Sequence, residues 1–159
     1  MANNLRFGVV GLGMGMSRSG MIHSTDGAEL VAVADLKEDR RKAAEEKFGC
    51  ESHEDALEMF DRDDIDVAMM MTPSGLHGKF GEEAARRGKH VITTKPMDVS
   101  VENCDSLIKT CEDNNVKLLV DFGERYGKHN RRIKAALDQG AIGKPLLCDL
   151  RMKWKRFDS

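Results

Sequence analysis

"GVVGLGMGMSRSG", residues 8–20, places five glycines (Gly8, Gly11, Gly13, Gly15 and Gly20) in thirteen positions, within and just behind a short apolar run. A glycine-rich patch after a strand reads either as a turn that cradles a nucleotide or as a flexible connection. The surrounding chain decides between them. Short, almost continuously apolar runs recur at 5–10 (LRFGVV), 28–34 (AELVAVA), 66–71 (DVAMMM), 90–94 (HVITT) and 116–120 (VKLLV). Runs of that kind read as strands buried on both faces of a sheet. Charge-rich segments at 37–49, 52–60, 74–88 and 100–114 separate them. Ser52 with Asp55, and Ser100 with Asn103, predict helix N-caps, while Gly49 and Gly88 sit at helix stops. Strand and helix in alternation predict an α/β fold of the Rossmann type, a doubly wound parallel sheet with helices on both faces.

In that setting the opening stretch reads as a dinucleotide turn. Gly11 and Gly13 follow the first strand and open the first helix, with Met14 continuing the turn. The first glycine permits the tight bend, the second lets backbone approach a pyrophosphate, and the helix N-terminus offers N–H groups and a positive dipole end. The third glycine position of that fingerprint is Met16, with Gly15 one residue early, and residues 11–16, Gly15 and Met16 included, are expected to hold the nucleotide together with Asp35. The second strand leads into Asp35, roughly 20 residues downstream, where a carboxylate accepts from adenosine ribose hydroxyls. The cofactor expected is NAD, because Asp35 repels a 2′-phosphate. Lys37, Arg40 and Arg41 lie close enough to soften that preference, so NADP stays open.

Composition sets the outer limits. A chain of 159 residues suits one ordinary domain with a core and is short for two. A formal net charge of -2, with basic and acidic residues interspersed, gives no field that attracts nucleic acid or an anionic membrane. No apolar run reaches the length of a membrane span, and the first residues do not read as a secretory leader. Cys50, Cys104, Cys111 and Cys148 show no Cys-x-x-Cys spacing, so neither a metal site nor a redox pair is expected. Scattered thiols fit a reducing compartment, and a cytoplasmic protein is expected.

Two further stretches carry a family resemblance. Residues 66–100 run strand, Thr72-Pro73, a short turn to His77, a helix, Gly88-Lys89-His90, a strand, then Lys95-Pro96. Residues 116–145 add a strand, Arg125, a helix and the turn "GAIGKP". In this order the motifs resemble the glucose–fructose oxidoreductase and inositol dehydrogenase (Gfo/Idh/MocA) family of NAD(P)-dependent oxidoreductases, over essentially the whole chain. The resemblance implies hydride transfer to or from a sugar, cyclitol or related polyol, in a protein that is a homo-oligomer at full length. It places Lys95 beside the nicotinamide and substrate, with Pro96 following a cis bond. Thr72, Pro73, His77, Thr94, Lys95 and Pro96 would line the cofactor groove. His77 reads equally as a structural histidine at a helix start. Thr94 departs from the family, which usually has glutamate there, and removes a charge beside the lysine.

Residues 1–123 are expected to form the dinucleotide-binding domain, and 124–159 a linker, a helix and the first strand of an incomplete α+β second domain. Leu146, Cys148, Leu150, Met152 and Trp154 alternate with polar residues, the pattern of a half-buried antiparallel strand. Arg125 and Tyr126 in the linker read either as cofactor or substrate contacts or as surface residues. The sequence stops at Ser159, so the chain alone is expected to bind nucleotide without completing catalysis. The alternative is a non-catalytic nucleotide-binding or regulatory module of the same fold.

Overall fold

The apolar runs assemble into one parallel sheet. In the computed structural model, which describes residues 4–151 and 153, the strands are β1 (Leu5–Val10), β2 (Ala28–Ala34), β3 (Glu51–His53), β4 (Val67–Met70), β5 (His90–Thr94) and β6 (Leu118–Asp121). Their order is β3-β2-β1-β4-β5-β6, and every pairing is parallel. The helices are α1 (Leu12–His23), α2 (Glu38–Phe48), α3 (Ala56–Phe60), α4 (His77–Arg86) and α5 (Val101–Asp113). The order reverses between β1 and β4, and such a switch point leaves a crevice outside the carboxyl ends of the strands.

The pleat divides the core into two layers. Val9, Val33, Met69 and Met71 face Leu12 and Ala44 on one side, whereas Val10, Ala34, Met70 and Val91 face Phe60, Ala84 and Leu107 on the other. All four residues of β4 are buried, as a central strand covered on both faces requires. Each fully buried large side chain contributes roughly 1.5–3 kcal/mol. Met69, Met70 and Met71 are therefore packing residues.

The predicted helix over 52–60 is divided. Ser52 lies in β3, which pairs with Ala32–Ala34 and lengthens the sheet edge, and its hydroxyl donates to Glu45 at 2.7 Å. The cap of α3 is Asp55, which accepts from the Leu57 N–H at 2.9 Å. A three-residue edge strand of Glu, Ser and His carries no apolar signal, so only its pairing with β2 reveals it. Ser100 does cap α5, accepting from the Asn103 N–H at 3.1 Å. Gly49 closes α2 with a left-handed φ of 67°, a C-cap conformation that costs glycine nothing.

The chain divides into two units between Asp121 and Phe122. In the second, a 3-10 turn (Gly123–Tyr126) precedes α6 (Lys128–Asp138), and Asn130 Nδ2 donates to the Glu124 carboxylate at 2.7 Å. The strand expected from 146 onward is not formed over residues 145–151. Leu146 is 90% exposed and Leu150 80%. Alternation alone makes no strand: a ladder needs a neighbour, and none pairs with this segment among the described residues. Met152 and Trp154 lie outside the described residues. No helix of the described residues is long and apolar enough to cross a membrane.

Candidate functional site

The carboxyl ends of β1, β2 and β4 open on a cleft of about 700 Å³, at the switch point. Gly11 forms its base. With φ at 89° its N–H donates to the Ala34 carbonyl at 2.7 Å. A Cβ at this position would lie 2.8 Å from the carbonyl carbon of Met71, so both the conformation and the space demand glycine. At Gly13 a Cβ would meet only the Arg40 guanidinium, at 3.6 Å, and the backbone there stays open to a ligand.

Gly15 and Met16 do different work from the one expected. A Cβ on Gly15 would come within 3.1 Å of Met71 and 3.3 Å of Val9, so this glycine lets α1 settle onto the sheet. Met16 packs against the same layer of the core. Neither lines the cleft. The close packing that a third fingerprint glycine provides is thus supplied one residue early. Met14, 67% exposed, sits on the rim.

Asp35 is recessed, with only 8% of its side chain exposed. Oδ2 accepts the Leu12 N–H at 2.6 Å, Oδ1 accepts the Lys37 N–H at 2.9 Å, and Arg40 Nη1 stands 3.4 Å from Oδ2. The carboxylate therefore braces the first turn of α1 against the start of α2. Desolvation pushes its pKa up, but the two backbone N–H groups and the Arg40 charge outweigh that and hold it below the ordinary carboxylate value. A carboxylate offers about four acceptor directions, so these contacts leave capacity for a ribose hydroxyl. No other side chain caps α1 among the described residues, and its first turn carries no acid. Gly13 and Met14 of that first turn line the cleft, at the positive end of the helix dipole.

Thr72 and Pro73 form the opposite wall, and the buried Thr72 Oγ1 has no partner among the described residues. Leu36, Leu76 and Phe80 give the cleft an apolar lining that the sequence reading missed. Their signals are present in hindsight: Leu36 directly follows the acid and is 82% exposed, and Leu76 and Phe80 stand one helical turn apart.

His77 has no exposed surface, the environment the structural reading expects. Its Nε2 lies 2.9 Å from the Thr72 carbonyl and its Nδ1 2.9 Å from the Pro96 carbonyl. It ties the loop after β4 to the loop after β5. Beside it, Asp98 accepts from the Gly78 N–H at 2.8 Å, the Val99 N–H at 2.7 Å and Asn103 Nδ2 at 2.9 Å. Desolvation raises the pKa of Asp98, and these donors more than reverse it.

Lys95 and Pro96 leave β5 at the same carboxyl edge, joined by a cis peptide bond, and both are exposed. No hydrogen bond or ion pair joins Lys95 Nζ to another described residue. Thr94 is 7% exposed and sits in register with Asp121 of β6. Asp121 holds Arg18 of α1 at 2.8 Å, a charged pair at this edge that sequence reading did not single out. Thr94, Lys95 and Pro96 do not line the cleft itself. Arg125 lies in the second unit, its guanidinium 5.7 Å from the Phe122 ring centroid.

Comparison with known proteins bears on this geometry. The profile of the Gfo/Idh/MocA family, described as "Oxidoreductase family, NAD-binding Rossmann fold", matches residues 5–122. The chain belongs to this family. Among Gfo/Idh/MocA relatives, the myo-inositol 2-dehydrogenase of Thermotoga maritima is 31% identical over 147 residues, covering 89% of this chain and 43% of the relative. The inositol 2-dehydrogenase of Rhizobium meliloti is 34% identical over 141 residues, covering 87% of this chain and 42% of the relative. The WlbA dehydrogenase of Bordetella pertussis, crystallised with NADH and UDP-GlcNAcA, superposes with a TM-score of 0.81 at 32% identity, over 89% of this chain and 42% of that one. The chain spans under half the length of the curated family members it matches.

Proposed function

We propose that this chain is the dinucleotide-binding part of an oxidoreductase acting on the alcohol carbon of a sugar, cyclitol or related polyol. One observation carries the reading. An α-helix N-terminus, an open glycine backbone and a recessed, ionised carboxylate converge on one cleft at the switch point. Gly11, Gly13 and Met14 would hold the pyrophosphate, Asp35 the adenosine ribose, and Leu36 the apolar adenine. Thr72 and Pro73 would flank the path toward the nicotinamide. The bound dinucleotide supplies or takes up the hydride.

Lys95 is assigned the proton at the reacting oxygen. Its exposed side chain directly follows β5, the sheet neighbour of β4, and has no hydrogen-bond or ion-pair partner among the described residues. There a protonated Nζ would donate to a carbonyl oxygen as it becomes a hydroxyl, and in the reverse direction the unprotonated amine would take the proton as a hydroxyl becomes a carbonyl. Thr94 leaves no carboxylate beside it on β5. Polyol specificity and the rest of the substrate contacts are assigned to chain segments that the longer relatives possess, so these 159 residues should bind nucleotide without steady turnover.

The test is a fluorescence titration of NADH against the purified chain, with Lys95→Ala alongside. Saturable binding, altered no more than about threefold in the variant, is expected because the phosphate and ribose contacts lie elsewhere. No saturable binding of either form up to millimolar NADH would refute the reading. Binding lost together with Lys95 would make the lysine a cofactor anchor instead.

A further inference from the structure

The chain carries ten methionines, and one of them stands uncovered in the nucleotide cleft. Met59, Met69, Met70 and Met71 are buried, and Met16 and Met97 pack against the core. Met21 is exposed, but the Arg18 guanidinium donates to its sulfur at 3.3 Å. Met14 is the most exposed methionine among the described residues, and no donor among them meets its thioether. An accessible thioether with free lone pairs is the kind that oxidants reach. Among the cysteines, Cys50 and Cys111 are buried, and desolvation pushes both thiols up, away from the reactive thiolate. Half-buried Cys104 and exposed Cys148 are the competing targets.

The place of Met14 in α1 gives its oxidation a consequence. It is the third residue of the helix, after Leu12 and Gly13. Side chains there lean back toward the helix N-terminus, where a glutamine or glutamate accepts from exposed N–H groups. A thioether is a weak acceptor and leaves those groups to a ligand. Its sulfoxide carries an oxygen as many bonds from Cα as Oε1 of a glutamine, and that oxygen accepts well. Asp35 already takes the Leu12 N–H, and the Gly11 N–H is bound to the Ala34 carbonyl. An oxygen added at Met14 therefore competes with a pyrophosphate at the N–H groups of Gly13 and Met14. It also sets the negative end of the S–O dipole against the phosphate charge.

We propose that Met14 is a reversible oxidation site that governs entry of a dinucleotide into this cleft. The inference rests on the dinucleotide site proposed above. The sulfur attacks one oxygen of hydrogen peroxide, the O–O bond breaks, and the second oxygen leaves as water. Sulfur loses two electrons and the peroxide gains them. A methionine sulfoxide reductase reverses the change: a dithiol supplies two electrons and becomes a disulfide, and the oxygen departs as water.

The experiment treats the 159-residue chain with hydrogen peroxide, removes the reagent, and locates each added oxygen by peptide mass spectrometry. NADH is titrated before and after treatment in the wild type, Met14→Leu and Met21→Leu, and without treatment in Met14→Gln. Met14 should gain oxygen ahead of Met21. Wild-type affinity should then fall by about tenfold, the worth of one contact to a charged group. Met14→Leu should keep one dissociation constant before and after peroxide, whatever its starting value, whereas Met21→Leu should respond as the wild type does. Untreated Met14→Gln should reproduce the weaker binding of the oxidised wild type. Methionine sulfoxide reductases for both epimers, with dithiothreitol, should restore affinity, and dithiothreitol alone should not. Thermal unfolding of every form checks that the fold is intact. A loss that persists in Met14→Leu would assign the effect to a thiol and overturn the proposal. Unchanged affinity with Met14 fully oxidised, or Met14 spared while Met21 is converted, would also overturn it and leave the nucleotide site standing. Failure of the untreated wild type to bind NADH would remove the site and the proposal together.

Discussion

Replacing His77 by alanine tests whether the two cleft loops are held by one side chain. The imidazole is fully buried and stands 2.9 Å from each of two backbone carbonyls, those of Thr72 and Pro96. A neutral imidazole donates to one of these carbonyls, so its loss forfeits one hydrogen bond worth about 0.5–1.5 kcal/mol and leaves a buried carbonyl short of a partner. It also opens a ring-sized hole at the start of α4 that its neighbours close only in part. Together these come to about 3 kcal/mol. For a unit of this size that corresponds to a fall in melting temperature of roughly 10 °C. The assay is thermal unfolding followed by circular dichroism, with His77→Gln in parallel, because an amide recovers one donor and some of the volume. NADH affinity should fall in His77→Ala, since Thr72 forms a wall of the cleft. A melting temperature within about 2 °C of wild type, corresponding to well under 1 kcal/mol, would refute the brace.

Gly11→Ala should abolish measurable NADH binding and lower the melting temperature. The left-handed φ alone costs about 1–3 kcal/mol, and the added methyl meets the Met71 carbonyl, so a normal titration curve would contradict it. Asp98→Ala should cost about 2–3 kcal/mol by leaving the Gly78 and Val99 N–H groups without their acceptor, readable in urea unfolding. The Arg6 guanidinium holds Asp66 at a pKa of about 2 rather than the usual 3.8. Because the folded value is the lower one, this pair stabilises the fold above about pH 4, and its contribution disappears as pH falls toward 2. Asp66→Asn should therefore flatten the acid limb of the stability curve over that window and leave the shape above pH 5 unchanged.

Apolar runs without interruption, separated by charged helices, are the signature of a sheet covered on both faces, and five of the six strands could be read from them. The missing β3 pairs through its backbone at a sheet edge, where Glu51, Ser52 and His53 need not be apolar. Periodicity misled in the other direction at residues 146–150, where an alternating pattern has no strand to pair with among the described residues. Within the site, Gly11, Gly13 and Asp35 were legible because their spacing from a strand end is set by covalent geometry. Gly15 and Met16 were placed near the ligand by motif position, yet they pack toward the core, and His77, read as either a groove or a structural residue, is fully buried. Arg40's position over Gly13 depends on how the first turn of α2 is rotated, which a linear sequence does not display.

The cleft is lined by residues between Val10 and Phe80, and the lysine assigned to chemistry follows later, at the end of another strand. On the function proposed above, gripping the nucleotide and handling the proton fall to separate, consecutive passages of the chain. Exchanging the short β2–α2 connection could alter the coenzyme accepted while β5 and its terminal lysine remain untouched. A division of this kind would let the coenzyme accepted change without disturbing the residue assigned the proton.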